Sequence, residues 1–327
     1  MSPCPTPFTR HAGVALPLIC GAMYPCSNPE LVAAVSAVGG LGVIQPVSMI
    51  YAHGRDLAAG IDEIRRVTTN PLGFNALIEA SSASHLKRME AWIDIALEKG
   101  IRFFITALGK PDWVVERVHG AGGIVYHDVT DLNWARKAAD CGVDGLICVN
   151  HRAGGHAGGN SMEDLYRELS ALELPLVCAG GVGAPREFAR ALDMGYSAVQ
   201  MGTRFIASRE CSAHGDYKSA ITSATEGDIV LTERISGVPV SVIKTPYIER
   251  TGTRAGWLAK KLLRHPRYKH YVRTAYTLKA AWQLKHASHK GRGYKDFFQA
   301  GKSVSGIDQV QSVAEIVNDF AQAACLD

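Results

Sequence analysis

Short apolar runs, rich in β-branched residues, alternate with stretches of helical periodicity along the first 210 residues of the chain. The apolar runs predict strands that are buried on both faces under helices. They are Leu16–Cys20, Leu41–Ile44, Leu72–Leu77, Phe103–Ala107, Ile124–His127, Gly145–Val149, Leu176–Ala179 and Ala198–Met201. The helical stretches are 28–38, 54–67, 83–99, 110–119, 130–141, 161–172, 184–194 and 212–225. Eight strand–helix units in series predict an α/β protein with a closed (β/α)8 barrel; a doubly wound open sheet is the alternative.

The strand–helix alternation stops near residue 228. Residues 228–302 predict an extended excursion followed by basic helices that are interrupted at Pro266, and helical spacing returns at about Asp308–Ala324. We therefore expect residues 1–227 and 303–327 to form the barrel. The segment 228–302 is then a basic, mainly helical insertion that covers the barrel mouth.

The charge of the chain is unevenly distributed. Between Arg250 and Lys302 there are 14 Lys and Arg residues and a single acidic residue, Asp296, whereas the rest of the chain has 21 basic and 30 acidic residues. A solvated helical cover explains this asymmetry. The alternatives are attraction of anionic substrates, docking of an acidic carrier or a pyridine-nucleotide phosphate, and contact with an anionic membrane surface. Nucleic acid is not expected, because no binding module is present and the body is acidic.

Composition excludes several classes of protein. With 327 residues, 47% of them hydrophobic and 20% charged, the chain is neither disordered, collagen-like nor a coiled coil. No apolar stretch is long enough to span a membrane, and the N-terminus lacks the charge pattern of a signal peptide. The eight cysteines include no C-x-x-C pair. We therefore expect a cytoplasmic protein with reduced, buried thiols and without integral membrane association.

The loop after the sixth predicted strand is the first candidate for chemistry, because barrel active sites lie at the carboxyl ends of strands. Its residues 154–159 include four glycines around His156. The glycines allow backbone to approach a flat ligand, and the imidazole titrates near neutral pH. A flexible loop with an incidental histidine is the alternative. No H-E-x-x-H motif or Cys/His cluster occurs, so no metal site is expected.

The loops after the seventh and eighth predicted strands are rich in glycine. Their sequences are Ala179-Gly180-Gly181-Val182-Gly183 and Met201-Gly202-Thr203-Arg204-Phe205. Barrels commonly hold a phosphate between these two loops, through backbone N–H groups. The chain has no G-x-x-x-x-G-K-[ST] loop and no Rossmann G-x-G-x-x-G motif. These loops therefore predict a phosphate-bearing ligand that is bound without either nucleotide fold.

Three further candidates lie at predicted strand ends. Asn75 could hydrogen-bond the edge of a heterocycle, His127 ends the fifth strand, and Gly21-Ala22-Met23 could pass backbone along a ring. For each, the alternative is a strand-end residue that is satisfied by neighbouring backbone.

The segments PLICGAMYPCSNPELVAAVSAVGGLGVI, PLGFN, RAGGHAGG, PLVCAGGVG and AVQMGTRFIASREC together carry a resemblance. Over about residues 14–215 the chain resembles the nitronate monooxygenase family, formerly called 2-nitropropane dioxygenases. The same superfamily holds FMN-type enoyl-acyl-carrier-protein reductases and some NADH:quinone reductases. The resemblance implies a TIM barrel that binds FMN non-covalently.

The resemblance also implies roles for individual residues. Phosphate contacts would come from Gly180, Gly181, Gly202 and Thr203, and the isoalloxazine would be lined by Gly21, Ala22, Met23 and Asn75. His127 stands where relatives often carry a Lys or His that contacts the flavin. Flanking residues of the predicted cofactor site are Gly155, Ala179, Gly183 and Met201.

The implied reaction is oxidation of an alkyl nitronate by molecular oxygen to a carbonyl compound and nitrite. His156 falls on the family's catalytic histidine and would orient the nitronate or deprotonate a neutral nitroalkane. The implied partners are this small-molecule substrate and oxygen, with a homodimer as a possible assembly.

Some residues depart from the family pattern. Arg152 stands where many relatives have Glu, Val149 replaces an aspartate that some carry, and residues 297–303 only loosely match a late glycine-containing segment. An arginine at this position would suit an anionic substrate. Two other functions therefore stay open: an NAD(P)H-dependent flavin reductase acting on quinones or enoyl thioesters, and a non-redox barrel that binds a phosphorylated ligand.

Overall fold

The computed structural model describes residues 5–79, 83–234, 239–254, 284–286, 288 and 297–324. Eight strands form a closed barrel in sequence order. They are β1 (Leu18–Cys20), β2 (Leu41–Ile44), β3 (Leu72–Leu77), β4 (Phe103–Ala107), β5 (Ile124–Val129), β6 (Gly145–Val149), β7 (Leu176–Ala179) and β8 (Ala198–Met201). All neighbours are parallel, and β8 pairs with β1 through Leu18 and Val199. The predicted (β/α)8 barrel is confirmed, and the open sheet is excluded.

Helices cover the barrel between its strands, close to the predicted stretches. They are α2 (Pro29–Ala37), α3 (Leu57–Val67), α4 (Ala83–Glu98), α5 (Asp112–Gly120), α6 (Leu132–Ala139), α7 (Met162–Leu169) and α8 (Pro185–Asp193). Several begin at a polar cap. The side chains of Asp56, Asp131 and Ser161 each accept a hydrogen bond from the backbone N–H three residues further on. Such caps satisfy donors that the first turn leaves unpaired.

A short helix, α1 (Pro7–Ala12), closes the amino-terminal end of the barrel. Phe8 is buried there, with its ring 5.5 Å from Phe103 and 6.2 Å from Tyr126. The sequence pattern does not predict this helix, because six residues are too few to show helical periodicity. With this end plugged, the carboxyl ends of the strands form the accessible mouth.

The chain beyond β8 departs from simple alternation. The elements are α9 (Thr203–Ile206), α10 (Gly215–Ser223), an antiparallel hairpin of β9 (Ile229–Thr232) and β10 (Val240–Ile243), α11 (Pro246–Thr251) and α12 (Val313–Ala324). Short single-turn helices occur at Ser48–Ala52, Ser170–Leu172, Glu226–Asp228 and Lys302–Gly306. The helix α12 packs against α8 and α2, with the rings of Phe188 and Phe320 5.3 Å apart. It therefore occupies the place of the helix that would follow β8.

The insertion predicted at 228–302 lies partly outside the described residues, and so do most of the basic helices predicted there. Its described part includes the β9–β10 hairpin, which lies against the loop after β6. The backbone N–H of Ser241 donates to the carbonyl of Gly155 at 2.8 Å. The division of the chain into a barrel and a basic cover stays a prediction.

Alternate residues of each strand face the lumen, as the period of a strand requires. Buried apolar side chains of the lumen form a cluster with Phe8 and Ala12. Its strand members are Ile19, Leu41, Val43, Phe103, Ile105, Tyr126, Ile147, Val177, Ala179 and Ala198. The intervening residues pack under the helices in a second, larger cluster. Each strand side chain near the mouth therefore points either into the lumen or outwards against the helices. We call the second, helix-facing side the wall.

Two other observations concern the described part of the chain. None of its helices is both long enough and apolar enough to cross a membrane. Its cysteines at 20, 26, 141, 148, 178 and 211 are free thiols, and all except Cys141 are buried.

Candidate active site

The loop after β7 requires glycine at two successive positions. The φ angle is +116° at Gly180 and +80° at Gly181, a region that side chains rarely adopt. A Cβ at Gly181 would also lie 2.5 Å from Nε of Arg152, and one at Gly180 would lie 2.5 Å from Oδ1 of Asn150. The loop therefore exposes bare backbone at the mouth, as a phosphate-binding turn does.

The loop after β8 meets this turn through a segment from the far end of the chain. The hydroxyl of Thr203 accepts a hydrogen bond from the backbone N–H of Gly301 at 3.0 Å. A Cβ at Gly202 would lie 3.3 Å from Sδ of Met23. The structure thus brings Gly202 and Thr203 together with Met23 and with the late segment.

The late segment, residues 297–303, contacts the site, although its sequence matches the family pattern only loosely. A Cβ at Gly301 would lie 2.6 Å from the amide nitrogen of Gly154, and a Cβ at Gly183 would collide with the carbonyl of Ser303. The N–H of Lys302 donates to the carbonyl of Arg152 at 2.9 Å. The signal that could have identified this contact is the GKSVSG sequence.

Asn150 links the loop after β6 to the loop after β7, and it is not among the site residues that the sequence predicts. Its side chain is buried, donates to the carbonyl of Gly180 at 2.9 Å and accepts from the N–H of Arg152 at 2.8 Å. Its own N–H donates to the carbonyl of Ala179 at 3.0 Å. Its position at the end of β6, before the glycines, is the signal that could have identified it.

Arg152 forms a two-pronged ion pair with Glu226. Its Nη1 lies 3.0 Å from Oε2, and its Nη2 contacts Oε1. This hydrogen bonding lowers the pKa of the Glu226 carboxyl. The positive charge of Arg152, which the sequence suggested for binding an anionic substrate, is therefore neutralised by Glu226.

Strand β1 leads into the predicted ring-binding residues. The N–H of Gly21 donates to the carbonyl of Met201 at 3.0 Å, and Ala22 packs against the lumen cluster. A Cβ at Gly21 would lie 2.9 Å from Cγ of Gln200. Asn75 is buried on the lumen face of β3. Gly21 and Ala22 therefore follow β1 at the mouth beside Gln200, and Asn75 faces the lumen from β3, two strands away.

His127 occupies the wall rather than the lumen. It shares the helix-facing side of β5 with Val125 and Val129, and its Nδ1 is 2.8 Å from the hydroxyl of Thr106. Burial lowers its pKa to about 4, so the ring is neutral at neutral pH. The structure does not bring His127 together with the residues proposed to line the ring.

The next residue, Asp128, faces the lumen at the end of β5. Its Oδ1 is buried and has no hydrogen-bond partner among the residues that the structure describes, and the same holds for Oε1 of Gln200. Burial raises the pKa of Asp128 to about 7. Because β5 is apolar on both sides, the sequence contained no alternation from which to infer that Asp128 and not His127 faces the lumen.

His156 stands at the mouth on the loop after β6. It is exposed, but the surrounding protein partly desolvates its ring and lowers its pKa, while the charge of Glu79 acts in the opposite direction. The adjacent Gly155, with φ of +70°, is bound to β10. A neutral imidazole at the rim is suited to accept a proton from a ligand that enters the mouth.

These residues fit a flavin mononucleotide. Glycine loops and Thr203 form one end of the site, and the unpartnered buried oxygens of Asp128 and Gln200 lie at the other. A flavin has a phosphate for the first end and a polar heterocyclic edge for the second. Within the described ranges, no group of three His, Cys, Asp or Glu residues is placed to hold a metal ion.

The chain is similar to several known proteins in sequence and in fold. The chain is 29% identical over 263 residues to a (3aS,4S,5R,7aS)-5-hydroxy-7a-methyl-1-oxo-octahydro-1H-indene-4-carboxyl-CoA dehydrogenase of Rhodococcus jostii, covering 79% of this chain and 72% of that protein. It is 25% identical over 290 residues to a probable nitronate monooxygenase of Staphylococcus aureus, covering 76% and 81%. The structure of FabK from Thermotoga maritima superposes with a TM-score of 0.81 at 27% identity, covering 98% and 96%.

A sequence model of one family, nitronate monooxygenase, matches residues 6–323, which is nearly the whole chain. The match includes both glycine loops, the His156 loop and the late segment that contacts Thr203. The chain therefore belongs to the nitronate monooxygenase family and is a flavin-dependent oxidoreductase.

Proposed function

We propose that this protein binds FMN at the barrel mouth and oxidises alkyl nitronates with molecular oxygen to a carbonyl compound and nitrite. The observation that carries the proposal is the convergence of three features at one rim: the two glycine loops, His156, and the unpartnered oxygens of the lumen. When bound, FMN supplies the electron-transfer chemistry between substrate and oxygen.

The phosphate would lie against Gly180, Gly181, Gly202 and Thr203. The ring would lie over Gly21 and Met23, with Asn75 and Gln200 near its edge. Ala22, Gly155, Ala179, Gly183 and Met201 shape these loops through the backbone. His127 stays outside this arrangement, because its side chain packs in the wall.

His156 would handle the proton at the substrate carbon. Partial desolvation keeps its imidazole neutral near pH 7, so one ring nitrogen can accept a proton from the α-carbon of a nitroalkane. With a nitronate, which already lacks that proton, the ring would hydrogen-bond the nitro oxygens and orient the anion. This distinction gives two substrates that test the same residue.

The experiment is anaerobic mixing of the purified holoprotein with propionate 3-nitronate and, separately, with NADH and NADPH, while the flavin spectrum is followed. We expect rapid bleaching by the nitronate alone, and oxygen uptake with nitrite release after air is admitted. Bleaching by a pyridine nucleotide alone would contradict the proposal and indicate the reductase branch.

A second candidate is oxidation of a hydroxyacyl-CoA thioester, and the Rhodococcus relative favours it. His156 would then take the hydroxyl proton as the carbinol carbon is oxidised to a ketone, and FMN, when bound, would supply the two-electron acceptor for the hydride of that carbon. Bleaching by a cyclic hydroxyacyl-CoA, together with no response to nitronate, would establish this candidate over the first. The homodimer stays a prediction.

A further inference from the structure

We propose that Asp128 contacts the ring of the bound flavin as a neutral carboxylic acid, whose O–H donates a hydrogen bond to the ring. This inference rests on the proposed FMN site. Asp128 is not among the site residues that the sequence predicts.

The placement of Asp128 follows from the barrel register. Tyr126, two residues earlier, is fully buried in the lumen cluster, and the side chains of a strand alternate between faces. Asp128 pairs with Ile147 of β6, which is another lumen residue. It is the last lumen-facing residue of β5 before the chain enters the loop, so its carboxyl lies at the level where a ring would lie across the mouth.

The solvent exposure of Asp128 also indicates that its side chain faces the mouth of the barrel. Tyr126 below it is inaccessible to solvent, while Asp128 keeps intermediate exposure although its Oδ1 is buried. The described residues that surround this oxygen offer it no donor. Since buried polar atoms in native proteins nearly always have partners, this oxygen indicates a missing hydrogen-bonding group.

The groups that face Asp128 are almost all uncharged. The strand β4 has no titratable residue, and β6 has only Cys148, whose pKa is raised mainly by burial. Across the lumen, Asn75 and Gln200 are neutral amides. His156 and Glu79 are the titratable groups that we place at the rim above. Burial raises the pKa of the Asp128 carboxyl and therefore favours its protonated form.

A neutral carboxyl has one donor and one acceptor, whereas a carboxylate only accepts. The heterocyclic edge of a flavin presents carbonyl acceptors beside an N–H donor. A neutral Asp128 can therefore hydrogen-bond a ring carbonyl and the ring N–H at once. Gln200 adds a side-chain amide that also faces the lumen. Ionisation of Asp128 would remove the donor and place a negative charge against the ring carbonyls.

The test is the dissociation constant of FMN measured between pH 6 and pH 9 for the wild-type apoprotein and for Asp128→Asn. Asparagine keeps a donor and an acceptor but cannot ionise. The flavin phosphate and His156 titrate in both proteins, so the ratio of the two constants isolates Asp128. We expect the wild-type constant to rise, relative to that of Asp128→Asn, by about 100-fold between pH 6 and pH 9.

Two further variants complete the design. Asp128→Ser keeps a donor that does not ionise and should follow Asp128→Asn, which protects the test if the amide variant fails to fold. His127→Asn changes the neighbouring residue on the opposite face and should follow the wild type. A ratio that stays constant, or that falls with pH, would overturn the inference while leaving FMN binding intact. Absence of FMN binding by the wild type at every pH would overturn the proposed function itself.

Discussion

The two ends of the candidate site are built in different ways. The phosphate end consists of backbone and small residues whose hydrogen bonds join three loops, as when Thr203 accepts from Gly301 and Asn150 donates to Gly180. The ring end consists of lumen side chains, and two of their buried oxygens have no partner in the described part of the protein. Hydrogen bonds within the protein therefore shape the loops of the phosphate end, while the ring end presents two side-chain oxygens that a ligand could bind.

A similar contrast occurs within β5, where the adjacent residues His127 and Asp128 point to opposite faces of the strand. Burial keeps His127 neutral in the wall and Asp128 protonated in the lumen up to about pH 7. The same desolvation thus produces a structural residue on one face and a ligand-facing acid on the other. Four predictions test this difference between the ends and the faces.

Replacement of His156 should have the largest effect, and it should lower substrate turnover without lowering FMN binding. His156→Asn should lower turnover of a neutral nitroalkane by about 10²–10⁴-fold, because the proton acceptor is lost. Oxidation of a preformed nitronate should fall less, and bound FMN should be retained. Steady-state rates with the two substrates provide the measurement. His151→Gln is the matched control in the same loop and should leave both rates unchanged; equal rates in the wild type and His156→Asn would remove His156 from the mechanism.

Gly181→Val should break the phosphate end. A side chain there meets both the left-handed backbone and Arg152, so we expect FMN affinity to fall by roughly 100-fold. Fluorescence titration of FMN measures the loss. Gly159→Val adds the same side chain where nothing lies within 4 Å and should bind FMN normally. Undiminished affinity in Gly181→Val would displace the phosphate from this loop.

The two faces of β5 should give opposite pH dependences of stability in the apoprotein. The raised pKa of Asp128 means that the folded state binds more protons between about pH 4 and pH 7, so this residue's contribution falls as pH rises. The lowered pKa of His127 means the reverse between about pH 4 and pH 6.5. Each slope is at most about 1.4 kcal/mol per pH unit.

Urea unfolding at pH 5, 6 and 7 distinguishes these contributions. Asp128→Asn should make the free energy of unfolding rise more steeply with pH than in the wild type, and His127→Asn should make it rise less steeply. Profiles parallel to the wild type in both variants would contradict the assigned protonation states.

The smallest effect is expected for the hydrogen bond that connects the late segment to the loop after β8. Thr203→Val removes the acceptor for the N–H of Gly301 and should lower the free energy of unfolding by about 1 kcal/mol, with a modest loss of FMN affinity. Thr203→Ser keeps the hydroxyl and should restore both. Equal loss in the serine variant would assign the effect to packing of the methyl group.

The sequence predicted the barrel well because its strands are short apolar runs bounded by turns. The strands of the structure differ from those runs by two residues at the start of β1 and the end of β5. The glycine loops were also identifiable, since their backbone requirement is local. The pairing of Thr203 with Gly301 was not identifiable, because nothing local links residues 98 positions apart.

The lumen positions were the hardest to predict. In β5 the residues on both faces are buried, so hydrophobic alternation does not reveal which face is which. The resemblance to a flavin family pointed to the strand end and led to His127, whereas the register places Asp128 in the lumen. Only the closed barrel, with Tyr126 packed on Phe103 and Phe8, fixes that register.

The most direct test of FMN binding at the barrel mouth is the flavin content of the purified protein compared with that of Gly181→Val. The cofactor would be released by denaturation, identified by chromatography and quantified per chain. We expect one FMN per wild-type chain and much less in Gly181→Val, provided that the variant is folded to the same extent as the wild type. A wild-type protein that is colourless and takes up no added FMN would contradict it.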